Sequence, residues 1–158
     1  MKKLLLLATL LIGLLVSAQI TPKELNNLTQ EQANTFSNEI AINGKTKWEF
    51  VQAKENTKGD YYISTYSSGE KTLKVIFHVY YEGQNKALEI PGTKTYKFYE
   101  VWGSYLDLFP TWKKVFKPDA ELEKTVDDFN SQELINRPEK INFKLKESDN
   151  QWHITNWS

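Results

Sequence analysis

Two histidines, His78 and His153, are the only side chains of this chain that titrate near neutral pH without help from their surroundings, and there is no cysteine to act as a nucleophile or soft metal ligand. A nucleophilic triad would pair one of them with a serine and a carboxylate. The chain has no G-x-S-x-G turn, no H-E-x-x-H pair and no phosphate-binding glycine loop. A metal held by both histidines would need their strands side by side and a carboxylate to join them. Nothing in the spacing supplies that third ligand, so no metal is expected. Asp127 and Asp128 are adjacent in sequence. On a helix they diverge by about 100° and share no site. Glu100, Ser104 and Asp107 recur at helical spacing and read as the solvent side of a helix. Asn27-Leu28-Thr29 and Asn156-Trp157-Ser158 match the glycosylation sequon, a pattern too short to assign a role. No catalytic residue and no cofactor site emerge.

Residues suited to contact rather than catalysis cluster on one strand face. Residues 73–81 alternate strictly: Leu73, Val75, Phe77, Val79 and Tyr81 point one way, with Lys74, Ile76, His78 and Tyr80 on the other. If Ser67-Ser68-Gly69-Glu70 forms a four-residue loop, Tyr66 lies opposite Lys71, Ile63 opposite Lys74 and Tyr61 opposite Ile76. Tyr61, Ile63, Ile76, His78 and Tyr80 then share the face away from the core. That set is the candidate binding patch, although β-propensity alone also brings Tyr and Ile to strands.

These residues need a sheet to position them. Thr29, with Gln32 three residues on, forms a capping box, and Ala33, Phe36 and Ile40 follow at helical steps, so a helix is expected up to Asn43-Gly44. Strands follow around Trp48, Phe50 and Gln52, over residues 61–66 and over residues 73–81, joined by short turns as an antiparallel meander. Residues 86–90 suggest a further short strand before the Pro91-Gly92 turn. Phe98, Val101, Trp102, Tyr105, Leu108, Phe109 and Trp112 step by threes and fours, which predicts a long aromatic helix over 95–109, kinked or broken at Pro110. The competing reading makes 96–102 a strand paired with 86–90. Leu122, Val126 and Phe129 suggest one more short helix, and a closing hairpin carries Ile141, Phe143, Leu145, Trp152, Ile154 and Trp157. The fold class is α+β: an antiparallel sheet of five to six strands with an N-terminal helix and the aromatic helix packed on one face.

Composition narrows the function classes. Lys2 and Lys3 precede a nearly unbroken apolar run over residues 4–16 and then Val16-Ser17-Ala18, the order of an export signal cleaved before Gln19. The run would rise only about 20 Å as a helix, short for a membrane span. Residues 19–158 are then expected to form one domain, soluble after cleavage and periplasmic or extracellular. Without Lys2 and Lys3 the acidic side chains outnumber the basic ones by two, and Arg137 is the only arginine. This argues against nucleic acid as a partner. Small exported domains often depend on disulfides, and this chain cannot. Its five Trp, eight Tyr and eight Phe must build the core instead, or offer stacking surface to a ligand. The expected function is a non-enzymatic exported domain that binds a small molecule or protein. The alternative is a small hydrolase that uses a carboxylate with His78 or His153.

Overall fold

The computed structural model describes residues 20–116, 131–136 and 141–156. The expected signal segment, the helix around Leu122, Val126 and Phe129, and Trp157 lie outside the described residues. Helix α1 (Gln30–Asn43) starts at Thr29, whose Oγ1 accepts from Gln32 N at 3.2 Å while Gln32 Oε1 accepts from Thr29 N at 2.8 Å. This is the anticipated capping box. Ala33, Phe36, Ser37, Ile40 and Ala41 form its buried stripe.

Seven strands follow: β1 (Glu49–Glu55), β2 (Tyr61–Ser68), β3 (Lys71–Glu82), β4 (Thr93–Gly103), β5 (Ser131–Asn136), β6 (Ile141–Ser148) and β7 (Gln151–Asn156). They form one antiparallel sheet in the order β1-β2-β3-β4-β7-β6-β5. The α+β class therefore holds. The β2–β3 loop has two residues rather than four: Ser68 pairs with Lys71, and Gly69, at φ 60°, takes the first central position. Glycine there suits a type II′ hairpin turn. The β6–β7 turn uses Asp149 and Asn150 at φ 52° and 61°, the type I′ pattern.

The long aromatic helix is replaced by a strand. Residues 93–103 form β4, paired with β3 along its length and with β7 at its C-terminal end. Residues 86–90 are not its partner: Lys86–Leu88 is a single 3-10 turn whose N–H groups at Ala87 and Leu88 are capped by Asn85 Oδ1. Helix α2 is only Tyr105–Thr111 and runs on into a π-type turn at Trp112–Phe116. Pro110 sits inside α2 instead of breaking it. A proline there cannot donate to the Leu106 carbonyl, and that oxygen accepts from Lys45 N at 3.3 Å instead.

The helices pack on one sheet face. Phe36 of α1 meets Phe98 edge-on at 5.3 Å, and Leu108, Trp112 and Val115 join the same core as Tyr62, Tyr66, Leu73, Val75, Phe77, Phe143, Leu145 and Ile154. Buried tyrosines on this side need partners for their hydroxyls. Tyr62 donates to Asn34 Oδ1 at 2.8 Å and Tyr66 to Asn38 Oδ1 at 2.6 Å, both on α1. Burial, aided by Tyr62, pushes the Tyr66 phenol up to about 12, so it remains a donor across the physiological range. Among the described residues, no helix is long and apolar enough to cross a membrane.

Candidate functional site

The opposite sheet face carries the predicted patch. The hairpin register is two residues further along than expected, so Tyr61 pairs with His78, Ile63 with Ile76 and Tyr62 with Phe77. Side chains alternate with a period of two, and a two-residue shift changes every partner while leaving every side chain on its expected face. Tyr61, Ile63, Ile76, His78 and Tyr80 therefore share one side, opposite Tyr62, Val75 and Phe77 in the core. The first four are half-buried and Tyr80 is 48% exposed.

Strand β4 adds what the sequence reading missed. Lys97 pairs with His78 and Thr95 with Tyr80. Between Phe98, paired with Phe77, and Glu100, paired with Ile76, Tyr99 is an extra residue in a β-bulge. Its ring reaches His78, with centroids 4.4 Å apart, and Tyr61 at 5.9 Å. Tyr61 lies 4.8 Å from His78, and Tyr80 lies 6.0 Å from it on the other side. The imidazole thus sits among three phenol rings from three strands. Assigning 95–103 to a helix hid Lys97 and Tyr99. The alternation of Tyr96 and Phe98 was the one available signal for them.

The surroundings of His78 favour its neutral form. Burial first, and Lys97 second, hold its pKa below the ordinary 6.5, with Asp60 pulling the other way. Burial also holds the Lys97 ammonium below its usual range. A neutral imidazole offers one donor and one acceptor.

His153 lies on the same face but apart from His78. It pairs with Trp102, whose ring is 4.2 Å away, whereas His78 pairs with Lys97, five residues back along β4. With β4 between their strands and this stagger, the two imidazoles are on the order of 15 Å apart. The shared-metal arrangement is not built, and among the described residues no group of three or more His, Asp or Glu converges. Both ring nitrogens of His153 and the hydroxyl of Thr155 are buried without a hydrogen-bond partner. Burial, then Lys146 and Lys144, lowers the His153 pKa. Among the described residues, neither histidine hydrogen-bonds a carboxylate. Glu100, Ser104 and Asp107 do not share a helix face: Glu100 is in β4, Ser104 caps α2, and Asp107 is buried.

The aromatic cluster runs into a cleft of about 420 Å³ at the end of β3 and β4, lined in part by Asn26, Asn27, Tyr80, Glu82, Thr95 and Lys97. Strand β7 covers only the C-terminal part of β4. Further back, Leu28 exchanges two backbone hydrogen bonds with Tyr96, at 2.8 and 2.9 Å, which places Asn26 and Asn27 as a wall. Asn156 fixes that wall by donating to Asn26 Oδ1 at 3.0 Å and to the Phe98 carbonyl at 2.9 Å.

The two histidines give a pH prediction. Unfolded, each titrates near 6.5; folded, each titrates lower, so the folded state binds fewer protons just below 6.5. Their contribution to stability is complete above 6.5 and is lost as pH falls through the folded values. Urea midpoints are expected to be level from about pH 8 to 7 and to drop between about pH 6.5 and 5, above the range where most carboxylates titrate. His78→Gln and His153→Gln should each flatten part of the drop. A midpoint that rises on acidification in this window contradicts the assignment.

Compared with protein-family models, with curated proteins and with solved structures, the chain matches none.

Proposed function

We propose that this chain is an exported, non-enzymatic binding domain whose contact surface is the sheet face opposite the helices. The observation that carries the reading is the cluster of Tyr61, His78, Tyr80 and Tyr99, rings from three strands gathered on that face beside a cleft. Rings that only completed a core would lie against α1 and α2, as Phe98 and Tyr62 do. Aromatic rings combined with an imidazole that favours its neutral form suit contact better than acid–base work, since among the described residues no carboxylate hydrogen-bonds His78. Ile63 and Ile76 extend the patch with apolar area.

Export rests on the basic start, the apolar run and the Val16-Ser17-Ala18 site, which imply a mature protein beginning at Gln19. The test takes protein recovered from the exported fraction, its start checked by intact mass, and identifies by mass spectrometry what it retains from that fraction. His78→Ala and Tyr80→Ala are expected to lose the molecules that the wild type retains while still folding, as read from a retained cooperative unfolding transition. If both variants fold and retain the same molecules, this face is not the site.

A further inference from the structure

Taking the binding face as proposed, we infer that the cleft between Asn26-Asn27 and the end of the β3–β4 hairpin holds a neutral, hydroxyl-rich ring: one sugar unit of a glycan, with the next units lying along His78, Tyr99 and Tyr61. The lining sets the class. It combines one carboxylate, Glu82, one ammonium, Lys97, two amides and the Thr95 hydroxyl. The opposite charges are balanced, and every polar group is one that hydrogen-bonds an alcohol. Asn27 Nδ2 donates to Glu82 Oε2 at 3.4 Å, a long bond that holds the two planar groups side by side, with donor and acceptor capacity left on the amide and acceptor capacity left on the carboxylate. A sugar hydroxyl both donates and accepts, so such a pair can take both of its roles.

Other ligand classes fit this lining less well. A phosphate or polyanion would meet Glu82 and has a single lysine to hold it. A metal ion would need more ligands than the described residues bring together. A lipid chain would take the Glu82 carboxylate and the Lys97 ammonium out of water and offer neither a hydrogen bond. A peptide adding to the sheet needs a free strand edge, and Leu28 occupies the edge of β4 at this point.

Shape and rigidity agree with the chemistry. The volume lies within the range of small-molecule sites. Tyr80, 48% exposed, offers a ring face for the apolar C–H face of a pyranose, while the Asn26 wall is fixed by Asn156 before any ligand arrives. From Tyr80 the centroids continue to His78 at 6.0 Å and on to Tyr99 at 4.4 Å, each ring tilted 58° to the next, so aromatic contact surface, though not one flat platform, extends beyond one sugar.

Titration calorimetry of the exported protein with soluble cello-, xylo-, malto- and chito-oligosaccharides, and with acidic oligogalacturonate for comparison, tests this. At least one neutral series should bind and the acidic one should bind more weakly. Asn27→Ala and Glu82→Gln, both at exposed positions, should each weaken binding about tenfold with unfolding midpoints unchanged. The inference is overturned if no neutral series binds at millimolar concentration, or if the acidic series binds best. It is also overturned if neutral binding persists in both cleft variants. Neutral binding that survives Asn27→Ala and Glu82→Gln but is lost in His78→Ala removes the cleft and leaves the face. Retention of other molecules by the face, with no sugar bound, removes the ligand class alone. Loss of neither in His78→Ala and Tyr80→Ala removes the face itself.

Discussion

Phe98→Ala should lower the unfolding free energy by about 3–5 kcal/mol, whereas Trp102→Ala, a larger truncation four residues along the same strand, should cost about 1–2 kcal/mol. Phe98 is fully buried and meets Phe36, Phe77 and Phe143 at centroid distances of 5.3, 5.9 and 6.3 Å, so its ring joins α1 to three strands. Its loss leaves a cavity bounded by a helix and a sheet that cannot both collapse inward. Trp102 lies on the opposite face, half-buried against His153. Removing it costs one stacking contact and part of its buried area. Urea denaturation of both variants gives the comparison. Equal losses, or a larger loss at Trp102, would contradict the assignment of the two rings to opposite faces.

That pair shows why the central segment misled a reading by periodicity. Tyr96 and Phe98 alternate as strand residues should; then the bulge at Tyr99 inserts one residue, and the core side resumes at Val101. The step from Phe98 to Val101 is therefore three. Trp102 follows from the other face, and Tyr105 belongs to α2. A stripe spaced for one helix face is the sum of two sheet faces, a bulge and the start of a separate helix. Only pairing with β3 and β7 resolves it, and pairing is a long-range property. Elements fixed by local chemistry were legible: the Thr29 capping box, the three-stranded meander and the closing hairpin at Asp149-Asn150.

The candidate face was legible for a more robust reason. Alternation assigns a residue to a face whatever its partner, so miscounting the Gly69-Glu70 turn displaced each pair without moving Tyr61 or His78 to the core side. Residues from other segments were not legible. Tyr99 and Lys97 depended on the segment read as helix, and Asn26 and Asn27 reach the cleft only because Leu28 bridges to Tyr96.

The second large effect is expected at Asp107, whose replacement by Ala should cost about 2–4 kcal/mol. Sequence spacing placed this residue on a solvent face; it is instead 4% exposed. Its carboxylate accepts from Thr46 N at 2.8 Å, Thr46 Oγ1 at 3.0 Å and Ser104 Oγ at 2.7 Å. It thereby ties the connection between α1 and β1 to the start of α2, beside the Lys45 bond to the Leu106 carbonyl. The approach is so close that a Cβ on Gly44 would lie 2.9 Å from both the Cα and the carbonyl oxygen of Asp107. Gly44 ends α1 as expected, but at φ −74° it needs no left-handed freedom, so its requirement is space. Gly44→Ala should therefore cost about 1–3 kcal/mol through overpacking alone. Because the clash includes Asp107 backbone, most of that cost should persist in the Asp107→Ala background. Asp107→Asn keeps one acceptor but sets an NH2 group against the remaining donors, so it should recover only part of the loss. Urea midpoints of the three single variants and the Gly44→Ala, Asp107→Ala double variant measure all of this. An Asp107→Ala protein within about 0.5 kcal/mol of wild type, the usual span of a surface substitution, would mean that the carboxylate does not hold this junction.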